Sequence, residues 1–207
     1  RKISAFVGGI ARNIDSNVII GDENDEFVVM EADEFDRSFL RLTPYVSVVT
    51  SIDADHLDIY GDTDTIRAAF AEFAGQIKPS GYLIMKKGIS LALEDVKAKV
   101  FTYSFTESAD FYPSEIEILQ GGYFKFNLNY PQFKIAGSNE TVAAGIIEDC
   151  IMGVPGWINA ENAVAAAASA LLGGISPEKV REALAAFSGV ERRMDIHVNR
   201  PECAYID

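Results

Sequence analysis

The chain has 207 residues, of which 48% are hydrophobic and 24% charged, with a formal net charge of −13. That length holds one large domain, or one domain with a small appendage, and the acidic balance weighs against nucleic acid or anionic membrane as partners, since both reward basic patches. No apolar run approaches the ~18 residues of a transmembrane helix, and two cysteines with two histidines form no disulfide framework, which points to a reduced, cytoplasmic setting.

The chain opens on Arg1–Lys2 with neither an initiator Met nor a signal peptide, so it is expected to be a piece of a longer protein. Short apolar runs at residues 3–7, 17–20, 26–31, 45–51, 81–86 and 100–104 predict strands. Residues 63–77 carry Ile66, Phe70, Phe73 and Ile77 at helical spacing, and residues 90–96 are expected to add a short helix. Strands alternating with helices predict an α/β fold, a mostly parallel sheet flanked by helices.

From about residue 110 to 152 the pattern changes to polar–apolar alternation. SEIEIL, YFKFNLNY and FKIAG, with Gly121–Gly122 and Tyr130–Pro131 as turn signals, predict a small additional antiparallel sheet. An alanine-rich helix is expected over 159–172, stopped by Gly173–Gly174. Ser176 should cap the next helix, with Pro177 in its first turn and Glu178 near its positive end. The closing CAYID reads as a strand. The expected division is one domain over 1–200, with 201–207 beginning a linker or a following domain.

Chemistry concentrates between residues 29 and 60. Glu31, Asp33, Glu34 and Asp36 place four carboxylates in six residues after one apolar run, while Asp53, Asp55 and Asp58 surround His56 after another. Strands whose carboxyl ends meet in one crevice are where open α/β sheets bind ligands. Hard oxygen donors with one imidazole suit a divalent cation that must also hold phosphate oxygens. For Asp33, Glu34 and Asp36 a plain loop leading into a helix is at least as good an account. His56 stands out by lying between Asp55 and Asp58, after a buried type of strand.

GWINAEN opens the alanine-rich helix. Asn159 fits a simple helix cap, whereas Asn162, three residues on, is a mediocre helix former whose carboxamide could read an adenine edge. Arg192 and Arg193 are adjacent cations in an acidic chain, suited either to pairing with Glu191 and Asp195 or to gripping a phosphate. No G-x-x-x-x-G-K-[ST] phosphate loop occurs in the chain.

The segments EADEFDRSFLRLTPYVSVVTSIDADHLDIYGD, PGWINAENAVAAAA and FSGVERRMD, in this order, resemble the Mur ligases of bacterial peptidoglycan synthesis, and specifically their central ATP-binding domain. The resemblance implies ATP-driven amide formation through an acyl phosphate, with ATP and Mg²⁺ as cofactors. It implies that Glu31 and His56 hold Mg²⁺, that Asn162 contacts the adenine region and Arg193 the nucleotide or its transferring phosphate, with Asn159 and Arg192 also on the cofactor, and that Asp207 falls at, or one residue before, a nucleotide contact. The first segment, and the absence of any lysine between Tyr60 and Ile77, favour the alanine-adding branch, which joins L-alanine to UDP-N-acetylmuramate.

The chain departs from the family pattern in reading Thr50-Ser51-Ile52 for TNI, and in placing Ile158 where a histidine commonly precedes the first asparagine. The resemblance puts the phosphate loop and the UDP-sugar domain before Arg1 and the amino-acid domain after Asp207, so this stretch alone is expected not to turn over. Rival readings are a recycling ligase that attaches a tripeptide, a metal-dependent phosphohydrolase, and a non-catalytic interaction domain with an acidic surface.

Overall fold

The computed structural model describes residues 2–53, 57–191, 196–200 and 203–206, with the backbone alone at 57–58, 196–200 and 203–206. Three strands open it: β1 (Ile3–Ala11), β2 (Ser16–Ile19) and β3 (Phe27–Met30). They form a sheet in the order β2-β1-β3, with β2 antiparallel and β3 parallel to β1. The parallel register, Ile3 opposite Phe27 through Phe6 opposite Met30, continues one step further, where the Glu31 N–H donates to the Phe6 carbonyl at 2.9 Å.

A second, wholly parallel sheet joins β4 (Val46–Val49), β5 (Tyr82–Lys86) and β6 (Lys99–Tyr103) in that order. Between β4 and β5 lie α1 (Leu57–Tyr60) and α2 (Thr63–Gly75). Helix α2 begins where the Asp62 side chain accepts the Thr65 N–H at 2.7 Å, satisfying a donor that the helix cannot pair internally.

Successive side chains of β5 point to opposite faces. Tyr82 and Ile84 enter a large core with the later helices, whereas Leu83 and Met85 enter a second core with Ala74, Ile77 and Ala98. A strand buried on both faces must be apolar throughout, and β5 is so up to its terminal lysine.

Residues 90–96 form no helix. Ile89, Leu91 and Leu93 all pack on that second core, a period of two that a helix cannot present to one surface.

The antiparallel sheet consists of β7 (Tyr112–Ile118), β8 (Phe124–Tyr130) and β11 (Gly145–Ile151), in the order β11-β8-β7. The pair β9 (Phe133–Lys134) and β10 (Thr141–Val142) lies between β8 and β11 in sequence. Both outer strands are bulged, with Glu115 at φ 52 and Asp149 at φ 55. Asn127 on the central strand serves both: its amide donates to Glu115 Oε2 at 2.9 Å, and its Oδ1 accepts the Asp149 N–H at 2.9 Å.

Two helices complete the main core, α3 (Trp157–Leu172) and α4 (Pro177–Ala186). Gly174, at φ 79, ends α3: its N–H reaches the Leu171 carbonyl, and the Ile175 N–H reaches that of Ala170, the paired bonds of a Schellman stop. Ser176 takes the cap position of α4 without a side-chain bond to the helix amides. The Glu178 carboxyl is held below its ordinary titration range by its own backbone N–H first and then by Ser176. Backbone pairing also joins β12 (Ile196–Arg200) to β13 (Cys203–Ile206).

The first sheet is attached differently. Among the described residues of its strands only Ala5 is buried. It is held to the segment after α4 by Arg12 N–H to Gly189 O at 3.0 Å, by Glu191 N–H to Ile10 O at 3.0 Å, and by Asn13, which bonds Ala186 and Ser188. The molecule is thus α/β, a parallel sheet flanked by helices with an additional antiparallel sheet.

Candidate functional site

Glu31 leaves the end of β3 as an exposed side chain. Its Oε2 accepts the Gly8 N–H at 2.5 Å. A Cβ at residue 8 would stand 2.8 Å from both carboxylate oxygens, so glycine there is what lets the carboxylate lie across β1. Two of the acids that come after it use their oxygens locally. Asp33 Oδ1 accepts the Phe35 N–H and Asp36 Oδ1 the Ser38 N–H, each at 2.9 Å. Ser38, through its hydroxyl first and then its N–H, holds the Asp36 carboxyl below its usual range. These turns lead into a single 3₁₀ turn at Ser38–Arg41, so the plain loop account holds for Asp33 and Asp36.

The loop after β3 meets the segment after β4. Tyr60 donates its hydroxyl to the Glu34 carbonyl at 2.6 Å, and the Arg37 guanidinium lies 4.8 Å from the centre of the Tyr60 ring. Burial raises the Tyr60 hydroxyl's titration, with Arg37 opposing. Phe39 packs its ring against Phe70 and Phe73 of α2. The loop after β3 therefore lies against Tyr60 and α2. Asp53 accepts the Ser51 hydroxyl at 2.6 Å. His56, like Asp55, lies outside the described residues, as do Arg192, Arg193 and Asp207.

Among the described residues no three His, Cys, Asp or Glu side chains converge on a point that could hold a metal. A single carboxylate still fits Mg²⁺, which keeps several waters and is commonly bound through one or two carboxylates together with phosphate oxygens. A carboxylate offers about four acceptor sites, and Gly8 takes one on Glu31.

The second feature is a hollow of about 660 Å³ walled by α3 and α4. Asn159 and Asn162 stand on its wall, with Gly189 and Val190 at another part of its lining. Helix α3 begins two residues earlier than expected, with Gly156 at φ 99 in the cap position. Asn159 is consequently not the cap; its amide donates to the Pro155 carbonyl at 2.7 Å. Behind the asparagines the wall is apolar, formed by Ala163, Ala166 and Ala170 on the same helix face.

Arg12 and Lys179 bring cations to the hollow, and neither was apparent from the sequence. The alanine stripe was in principle legible, because positions 159, 162, 163, 166 and 170 share one helical face. The opposite face of α3 carries Glu161, buried, whose Oε2 lies 2.7 Å from Lys86 Nζ at the end of β5.

Chemically, the hollow offers carboxamides and an apolar wall to a flat heteroaromatic group, and the β3 loop offers a carboxylate to a hydrated cation. No helix among the described residues is long and apolar enough to cross a membrane.

The profile of the Mur ligase middle domain matches residues 14–170. UDP-N-acetylmuramate–L-alanine ligase of Parabacteroides distasonis is 43% identical over 206 residues, covering 99% of this chain and 41% of the relative. The Phocaeicola vulgatus protein of the same name is 40% identical over 205 residues, with 98% and 41% covered. Among solved structures, UDP-N-acetylmuramate–alanine ligase MurC from Thermotoga maritima matches with TM-score 0.74 at 24% identity, covering 100% of this chain and 44% of that one. MurF from Acinetobacter baumannii matches with TM-score 0.66 at 24% identity, covering 90% and 39%. The chain spans about two fifths of the length of the curated relatives it matches.

Proposed function

The chain belongs to the Mur ligase family, and from that membership we propose that it is the central ATP-binding part of a ligase joining L-alanine to UDP-N-acetylmuramate. The observation that carries the reading is identity of 43% across nearly the whole chain with a protein of that named activity. The geometry supports it in two places: Glu31 is held at the end of a parallel strand, and Asn159 with Asn162 stands in a hollow large enough for a nucleoside. Residues 1–200 form the central domain in this reading, and 201–207 begin a linker or the C-terminal domain.

The proposed reaction is phosphoryl transfer followed by acyl transfer. The sugar's carboxylate attacks the γ-phosphorus of ATP and ADP leaves; the alanine amine then attacks the acyl carbon, its nitrogen gives up a proton to solvent, and phosphate departs with both bonding electrons. Such catalysis is mainly alignment and neutralisation of charge. Glu31 and His56 are the residues proposed to hold Mg²⁺, which when bound would offset the charge of the phosphate oxygens. Arg193, with Arg192 beside it, is proposed to meet the transferring phosphate, Asn162 the adenine, and Asp207 the nucleotide. UDP-N-acetylmuramate and L-alanine would be bound by flanking domains, and a cytoplasmic location fits those substrates.

The test uses the full-length protein. ADP release should require both UDP-N-acetylmuramate and L-alanine, and Glu31→Ala or His56→Ala should lower it at least about a hundredfold. Release of phosphate from simple phosphomonoesters, or equal activity with a tripeptide in place of L-alanine, would turn the assignment elsewhere. Residues 1–207 alone should show neither ATPase activity nor micromolar ATP affinity.

A further inference from the structure

We propose that the Lys86–Glu161 ion pair is a positioning device that fixes the rotation of α3 and so aims Asn159 and Asn162 into the hollow; this rests on the nucleotide reading given above. Lys86 ends β5, the central strand of the parallel sheet, and its ammonium lies 2.7 Å from Glu161 Oε2. Glu161 is 7% exposed, the one buried charged side chain among the described residues. Beside it the Tyr103 hydroxyl is buried without a hydrogen-bond partner, its titration raised to about 12 by burial first and then by the Glu161 charge.

Stability does not account for this arrangement. An ion pair with one member buried gains little over an apolar pair of the same volume, and one attested use of such a pair is to select one geometry over its neighbours. The neighbourhood needs such selection. Around Glu161 the buried surface of α3 is alanine at Ala160, Ala163, Ala165, Ala167 and Ala168, and its longer apolar side chains are Val164 and, in the last turn, Leu171 and Leu172. Side chains as short as alanine make shallow ridges, which resist sliding and rotation poorly.

Glu161 sits in sequence between the two asparagines and on the opposite helix face. Anchoring it to β5 therefore sets where both carboxamides point. A helix rotated by even part of a residue would carry Asn162 off the wall of the hollow.

The experiment uses full-length protein and the double variant Lys86→Met/Glu161→Leu, which removes both charges. KM for ATP should rise about tenfold, the scale of losing about one hydrogen bond, while KM for L-alanine and the thermal transition stay as in the parent. Adding Asn162→Ala to the double variant should raise KM for ATP no further, because both changes remove one contact.

A parental KM for ATP in the double variant, with Asn162→Ala alone impaired, overturns the positioning role and leaves the nucleotide reading standing. If Asn162→Ala alone is silent, the nucleotide reading falls and takes this inference with it. Should the double variant fail to fold, Glu161→Gln decides by the same KM comparison, since it removes the charge that anchors α3 while leaving no unpaired buried carboxylate.

Discussion

Tyr60 and Glu34, 26 residues apart, are joined by a 2.6 Å hydrogen bond from the phenol to the backbone carbonyl, and this contact holds the loop after β3 against the helices after β4. Replacing Tyr60 by Phe keeps the ring against Arg37 and Phe39's cluster but removes one of the two donors to that carbonyl, which still accepts the Arg37 N–H at 3.1 Å. A loss of about 1 kcal/mol in urea unfolding is expected. Turnover of the full-length enzyme should fall by more than that stability loss explains, since the loop carries Glu31. Unchanged turnover at saturating substrates would show that the two loops need no such tie.

Gly8→Ala separates site geometry from stability. Residue 8 has no left-handed backbone to strain, and the new methyl meets only the tip of the flexible Glu31 side chain. Thermal stability should change by less than about 0.5 kcal/mol, as for ordinary surface changes. The Glu31 carboxylate must move, so the Mg²⁺ concentration needed for half-maximal turnover of the full-length enzyme should rise. An unchanged Mg²⁺ requirement would argue against Glu31 as a ligand.

Gly153→Ala should do the reverse. A Cβ there would lie 2.2 Å from the Phe187 carbonyl oxygen and 2.6 Å from that of Ala185, and backbone atoms cannot swing aside. The end of α4 would be pushed away from β11, at a cost of about 1–3 kcal/mol by chemical denaturation. A variant as stable as the parent would mean that this junction is looser than the distances indicate.

Asp62 makes the cap of α2 pH-dependent. Its carboxyl titrates below 3.8 because the Thr65 N–H and hydroxyl bond the ionised form. A depressed carboxyl contributes stability above its unfolded value, and that contribution is lost as pH falls through the lower folded value. Asp62→Ala should therefore melt below the parent at pH 7, with the gap closing as pH drops beneath about 3.8. A gap of constant size across that range would assign the effect to helix propensity instead.

The parallel strands were legible because each is a short apolar run between turn residues, and β5 is apolar up to Lys86. Residues 90–96 misled because ISLALEDV contains good helix formers, yet the core claims Ile89, Leu91 and Leu93 on alternate positions. Asn159 resembled a cap, but the chain turns at Gly156, whose N–H is tied to the Gly122 carbonyl. The bulges at Glu115 and Asp149 carry no glycine to announce them. At the site, the asparagine motif and the acidic loop stood out as clusters. The Lys86–Glu161 pair could not, because 75 residues separate its members and only the packing of α3 on β5 brings them together.

The thin attachment of the first sheet has a mechanical consequence. With one buried residue in three strands, its amides should exchange with solvent through local openings that leave β4–β6 protected. Glu31 thus rides on a thinly buried layer of the molecule. Whatever grips that carboxylate must also quiet the layer beneath it, so some of its binding free energy goes into order rather than affinity.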